Sequence, residues 1–141
     1  MSLDEEKASL TLLGLAAPTT NASYVLVHPS HKYVYAVNEE DEGGVTAFAI
    51  DSTRPERLNL INHQSSRGSG PCYLSTNRAG NHLFVANYNN GTVAVFPIDT
   101  IDGSLKSSSG FDQQTGSSID PVRQTSAHAH CILLDKKEEF A

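Results

Sequence analysis

YVLVHPSHKYVYAVNEEDEGGVTAFAID, residues 24–51, returns in altered form as YLSTNRAGNHLFVANYNNGTVAVFPID at residues 73–99. Superposed, Tyr24 falls on Tyr73, Asn38 on Asn87, Gly43 on Gly91, Val45 on Val93, Phe48 on Phe96, Ile50 on Ile98 and Asp51 on Asp99, with one residue of slippage before the glycines. A third copy begins at His130 and runs to Ala141. The copies lie roughly fifty residues apart, and a period of that length filled with short strands is the pattern of propeller blades. A blade cannot bury its own faces, so the chain describes part of a ring.

Each copy reads as four strands, A to D. In the first, Ser23–Val27, Tyr33–Val37, Val45–Ile50 and Leu58–Ile61 are short β-branched or aromatic runs bounded by Gly, Pro, Asn and Asp, which is strand length rather than helix length. In the second they are Cys72–Thr76, Leu83–Ala86, Thr92–Ile98 and a weaker last strand near Leu105. Asn90-Gly91 is a hairpin signal because both residues tolerate positive φ. The predicted class is therefore all-β, a β-propeller of four-stranded antiparallel blades. Residues 10–22 hold the outer strand of a preceding blade, at Leu10–Leu13, and its linker. Residues 23–71 form one blade, 72–127 a second with a long loop, and 128–141 the start of the next.

Composition limits the partners. Ten Lys and Arg stand against 16 Asp and Glu, a formal charge of −6, and no basic stripe interleaves with aromatics. Nucleic-acid binding lacks its electrostatic footprint. No apolar run reaches the roughly eighteen residues of a membrane span, and the acidic start Asp4-Glu5-Glu6 is the reverse of a signal peptide, so a cytoplasmic protein without membrane contact is expected. Cys72 and Cys131 sit at strand starts in neighbouring copies and read as small packing groups rather than a disulfide. His128-Ala129-His130 could share a metal on a strand, but no third ligand stands at short spacing, and the acidic run Glu39–Glu42 is consecutive rather than alternating. Neither metal nor cofactor is expected.

Strands that run up and down across a blade sort their loops onto two rims. One rim collects Asn21–Ser23, Asn38-Glu39, Gly70–Cys72, Asn87-Tyr88 and the long segment 110–130 with Arg123, His128 and His130. The Pro29–Lys32 and Arg78–Asn81 turns fall on the other. Nearly every group capable of acid–base or anion chemistry lies on the first, where a propeller's channel opens.

The strings Ala36-Val37-Asn38-Glu39, Gly70-Pro71-Cys72, Ala86-Asn87-Tyr88 and Arg123-Gln124-Thr125-Ser126-Ala127-His128-Ala129-His130, in this order at blade spacing, resemble the seven-bladed propeller lactonase family, which includes propeller-type 6-phosphogluconolactonases and carboxymuconate cyclases. The likeness covers the chain from about Leu10 onward. Ala127 departs from it, since the family more often places a proline before the His-x-His pair. The resemblance implies about seven blades, of which this chain holds about two and flanking strands. Such a piece leaves blade faces and sheet edges open, so self-association, or the missing blades of the same polypeptide, is expected to cover them.

The resemblance also implies an anionic small-molecule substrate, a lactone or a muconate. For lactone hydrolysis a water must lose a proton and the departing alkoxide must gain one. His128 and His130 suit that work, because an imidazole changes charge near about pH 6.5 and residues two apart on a strand point to one side. The plainer reading is that one of them only ties down a loop. Arg123 could grip a phosphate or carboxylate in bidentate fashion, or be an ordinary surface arginine. Glu39, at the strand end, could orient a histidine or take a proton; its acidic neighbours read as a solvated loop. Asn87 and Tyr88 are the remaining candidates for substrate contact, although Asn38 and Asn87 at equivalent positions also fit a repeated turn contact, and Tyr88 fits packing. Lactone hydrolysis leads, with muconate cycloisomerisation and a non-catalytic binding scaffold as alternatives.

Overall fold

A computed structural model describes residues 1–141 and contains strands, turns and loops but no helix. Accordingly, no helix is long and apolar enough to cross a membrane. Strands β1 (Ser2–Asp4) and β2 (Ser9–Thr11) form a hairpin. Strands β3 (Val25–Val27), β4 (Tyr33–Asn38), β5 (Gly44–Ile50) and β6 (Leu58–Ser65) follow as an antiparallel meander in chain order. Strands β7 (Pro71–Thr76), β8 (His82–Asn87), β9 (Thr92–Pro97) and β10 (Gly110–Gln113) repeat it.

The period of two decides which residues meet between these sheets. In the first blade Tyr35 pairs with Ala47 and Val37 with Val45, so these four share one face. In the second, Leu83 pairs with Phe96 and Val85 with Ala94. The two faces close on each other as one core with Leu74, Ile98 and Leu105, all buried. Burying a large apolar side chain is worth about 1.5–3 kcal/mol, and this shared core is where most of that gain accumulates. The other face of the first blade is open: Val25, Val27 and Leu60 are 59%, 50% and 68% exposed. An apolar groove of about 460 Å³ there is lined by Leu13, Val27, Val34, Ile50 and Leu58.

Polar side chains lock the blades edge to edge. His28 is buried; its Nε2–H donates to the Gly80 carbonyl at 2.7 Å while Nδ1 accepts from the Ser30 amide at 3.1 Å. Gly80 has φ +69° and its missing Cβ would strike the His28 ring, so only glycine fits. The Tyr33 and Tyr35 hydroxyls donate to the carbonyls of Ile101 and Gly103 at 3.0 and 2.9 Å. Asn62 treats Leu105 as a strand partner would: Nδ2 donates to its carbonyl at 2.8 Å and Oδ1 accepts from its amide at 3.1 Å.

That last contact explains a departure from the sequence reading. A fourth strand was expected near Leu105, but Leu105 makes only a single bridge to Ile98, because its peptide groups are engaged by Asn62 of the neighbouring blade. The outer strand is β10 instead, inside the stretch read as loop. Nor is Leu10–Leu13 a lone outer strand: β2 ends at Thr11 and pairs with Ser2–Asp4. Asn90-Gly91 closes a four-residue loop, Tyr88–Gly91, in which only Gly91 takes positive φ. Residues 128–141, read as the start of the next blade, form no ladder; they pass beside β7, where the Ser75 hydroxyl donates to the Ile132 carbonyl at 2.6 Å. A strand needs a paired neighbour on its own sheet, and none of that unit lies beside it.

Candidate active site

The rim loops are stitched by their backbones. The Glu39 amide donates to the Asn21 carbonyl at 3.0 Å, Gly70 to Glu40 at 2.9 Å, Tyr88 to Gly70 at 2.9 Å and Asn89 to Ser69 at 3.1 Å. Each strand-B end is thereby tied to the linker entering its own blade, and the first loop to the second linker. The two asparagines serve this stitching. Asn38 Nδ2 donates to Thr19 Oγ1 and the Thr20 carbonyl, and its Oδ1 accepts from Thr46 Oγ1 at 2.7 Å. Asn87 has no exposed surface; its Nδ2 donates to the Ser66 carbonyl at 3.1 Å and to Thr92 Oγ1 at 3.0 Å, while Oδ1 has no partner. Direct substrate contact by Asn87 would require the turn to open.

Inside this ring of loops the heads of the inner strands meet. The Tyr24 and Tyr73 rings lie 4.7 Å apart. A hydrogen bond with the Tyr24 hydroxyl, with burial and Cys131 adding to it, pushes the Tyr73 phenol up to about 12. Cys72 stands next to them, its Sγ 3.7 Å from the Ala129 and His130 carbonyls. Burial raises this thiol, and the charges of Glu39 and Cys131 raise it further, which puts the Glu39 carboxylate within electrostatic reach of the same point. Both cysteines are free thiols.

The histidine pair leans on Tyr88. His128 Nδ1 lies 2.8 Å from the Tyr88 carbonyl, and its ring stacks on the Tyr88 ring with centroids 4.5 Å apart and planes 18° apart. His130, which is exposed, meets the same ring edge-on at 5.5 Å. The backbone that carries His130 thus lies against Cys72, while both histidine rings rest on Tyr88. Arg123 is not joined to them: its amide, with that of Val122, donates to Asp120 Oδ1 at 2.9 Å, which holds that carboxyl low, and its guanidinium has no hydrogen-bond or ion-pair partner. Three cavities open beside these residues. One of about 360 Å³ is lined by Asn21, Ala22, Ser23 and Glu39. A second, about 350 Å³, has Thr115, Ser117, Ser118, Ser126 and His128 in its walls. The third, about 500 Å³, is lined by both His128 and His130, with Val93, Gln114, Cys131 and Ile132. No group of three metal-ligating side chains comes together.

Cys72 and the Tyr24–Tyr73 pair were not singled out as site residues by sequence reasoning. Their signal was available, since Tyr24 and Tyr73 are equivalent in the repeat and equivalent inner-strand positions are neighbours in a ring. Cys72 was placed on the rim by its position at a strand start but read as a small packing group.

Four-stranded antiparallel blades packed face to face define part of a β-propeller. The family model described as "Lactonase, 7-bladed beta-propeller" matches residues 1–141, and the chain belongs to that family. It is 36% identical over 129 residues to a 6-phosphogluconolactonase of Bacillus subtilis, covering 91% of this chain and 36% of that protein. A 6-phosphogluconolactonase of Formosa agariphila is 34% identical, with 85% of this chain and 34% of the relative covered. The chain therefore spans about a third of the length of these curated relatives. Among solved structures, the periplasmic gluconolactonase of Pseudomonas aeruginosa superposes with a TM-score of 0.87 at 29% identity, over 96% of this chain and 39% of its own.

Proposed function

We propose that this chain contributes part of the active site of a sugar lactone hydrolase, acting on a lactone such as 6-phosphogluconolactone. The observation that supports the reading is the pairing of His128 and His130 on the Tyr88 ring, beside a cavity that both line, in a family whose similar members are named as lactonases. In this reading a water attacks the ring carbonyl as an imidazole takes its proton, and the departing ring oxygen then receives a proton. Glu39, which lines the adjoining cavity, orients a histidine or takes a proton in this reading. Arg123, free of any carboxylate partner, is available for the anionic substituent. The names of the similar proteins favour hydrolysis over muconate cycloisomerisation. We place the protein in the cytoplasm, in keeping with its two free thiols. The open blade faces are covered by further blades or by a second copy in this reading.

Acid release from 6-phosphogluconolactone, followed at constant pH above the uncatalysed background, tests it. Replacing His128 and His130 singly by alanine lowers the rate at least about tenfold in whichever variant loses the proton-handling imidazole. Rates of both variants equal to that of the parent protein remove the assignment.

A further inference from the structure

The two histidines of the rim are not held alike. His130 has no hydrogen-bond partner on its ring and touches Tyr88 only edge-on. His128 is fixed at one nitrogen and on one face, by the Tyr88 carbonyl and the Tyr88 ring. A carbonyl oxygen only accepts, so a neutral His128 in this place carries its proton on Nδ1 and leaves the Nε2 lone pair free. An unconstrained imidazole favours the opposite tautomer. Tyr88 thus selects the minor form.

Gly91 makes that contact possible. Its φ is +64°, and a Cβ there would lie 2.5 Å from the Ala127 carbonyl oxygen and 2.8 Å from its carbon. Only a residue without a side chain lets the backbone just before His128 settle onto the Tyr88–Gly91 turn. The start of the same long loop grips that turn as well, since the Gln114 amide donates to the Gly91 carbonyl at 2.9 Å and Gln113 Nε2 to the Asn90 carbonyl at 2.6 Å. Both ends of the 114–128 loop are therefore anchored on one four-residue turn, and the imidazole is the last thing it carries.

We propose that Tyr88 and Gly91 are positioning residues that clamp His128 as its Nδ1–H tautomer, making Nε2 the nitrogen that accepts the proton of the attacking water. The role of Nε2 rests on the lactonase reading; the clamp itself does not. In the balanced step, the water oxygen bonds to the lactone carbonyl carbon and its proton passes to Nε2. The ring C–O bond then breaks with its electron pair on the departing oxygen, and Nε2 returns the proton to that oxygen. Nδ1 keeps its proton throughout and shares it more strongly with the Tyr88 carbonyl while the ring is charged.

Long-range proton–nitrogen correlation spectra of the histidine rings, recorded on this chain without substrate and assigned with His128→Gln, test the clamp. Neutral His128 should show a protonated Nδ1 and a bare Nε2, with its carbon-bound ring protons displaced by the Tyr88 ring current. Tyr88→Phe keeps carbonyl and aromatic face and should leave both signatures in place. Tyr88→Leu should remove the ring-current displacement and lower the ratio of Nδ1–H to Nε2–H about threefold or more. Gly91→Ala should lower that ratio too by lifting Ala127, and the Tyr88 pair decides the matter if that variant does not fold. His128 found mainly as the Nε2–H form, or an unchanged ratio in Tyr88→Leu, overturns the proposal. Because the readout is a nitrogen shift without lactone, it separates this assignment from the reaction itself.

Discussion

The loops that follow strand B in the two blades start from the same asparagine and end at the same glycine, yet they do different things. In the first, Asn38 is fully bonded, and its loop projects four consecutive carboxylates, Glu39–Glu42. In the second, one residue shorter, Asn87 keeps an unpaired oxygen and the loop is a platform on which His128 rests. The repeat thus supplies one scaffold twice, and the residues between its fixed points decide whether a loop meets solvent or holds an imidazole.

The sharpest way to break this comparison is to disturb the scaffold in each blade at the same place. Phe96 fills the core between the blades, whereas its counterpart Phe48 lies on the side of the first blade that has the apolar groove. Phe96→Ala should cost about 3–5 kcal/mol, and Phe48→Ala less, because the groove side can relax toward the lost volume. Urea unfolding of both variants measures this; equal losses would mean that the two faces are equally packed.

A smaller effect should separate the asparagines. Asn38→Ala strands the Thr46 hydroxyl and two acceptors in the preceding linker, for about 1–3 kcal/mol. Asn87→Ala strands only the Ser66 carbonyl, since Thr92 Oγ1 still donates to Asn90 Oδ1, and it also removes a buried oxygen that has no partner, so its cost should be lower. An Asn87→Ala loss exceeding that of Asn38→Ala would show that the unpaired oxygen is satisfied in solution.

The least difference is expected between Asp51 and Asp99, which end strand C in each blade. Both carboxyls are held below the usual range, Asp51 first by the Thr53 hydroxyl and Asp99 first by Lys106. A depressed folded-state value means stability that is present above the unfolded value of about 3.9 and fades as pH falls through the folded value. Asp51→Asn and Asp99→Asn should therefore narrow the gap between stability at neutral and at acid pH. Salt should weaken the Asp99 contribution more than that of Asp51, because the 2.8 Å ion pair with Lys106 leads at Asp99, whereas the 3.1 Å pair with Arg54 ranks behind Thr53 at Asp51. Thermal melts at two pH values and two salt concentrations check this, and an Asp51 contribution as salt-sensitive as that of Asp99 would contradict it.

The letters of Tyr24–Asp51 and Tyr73–Asp99 were enough for the blades, because strand length, period-two alternation and turn residues are local properties. The rim could be sorted for the same reason, since loops of a meander alternate sides whatever their sequence. What stayed illegible turned on contacts between distant residues. Gly110–Gln113 has no β-branched run and became the outer strand because Leu105 was captured by Asn62. Arg123 looked close to His128 along the chain, but it stands in an Asp120 turn without contact to the pair.

By itself, the sequence determined the all-β class, the first three strands of each blade and their grouping into repeats. Only the tertiary structure decided which groups meet: that Cys72 lies against the Ala129 and His130 carbonyls, that the Tyr88 carbonyl meets Nδ1 of His128 and that Gly91 is bare because Ala127 lies where its Cβ would be. The reason is physical. Periodicity and propensity act over a few neighbouring residues, whereas a hydrogen bond at 2.8 Å between residues forty apart depends on how two separately folded loops come to rest on each other.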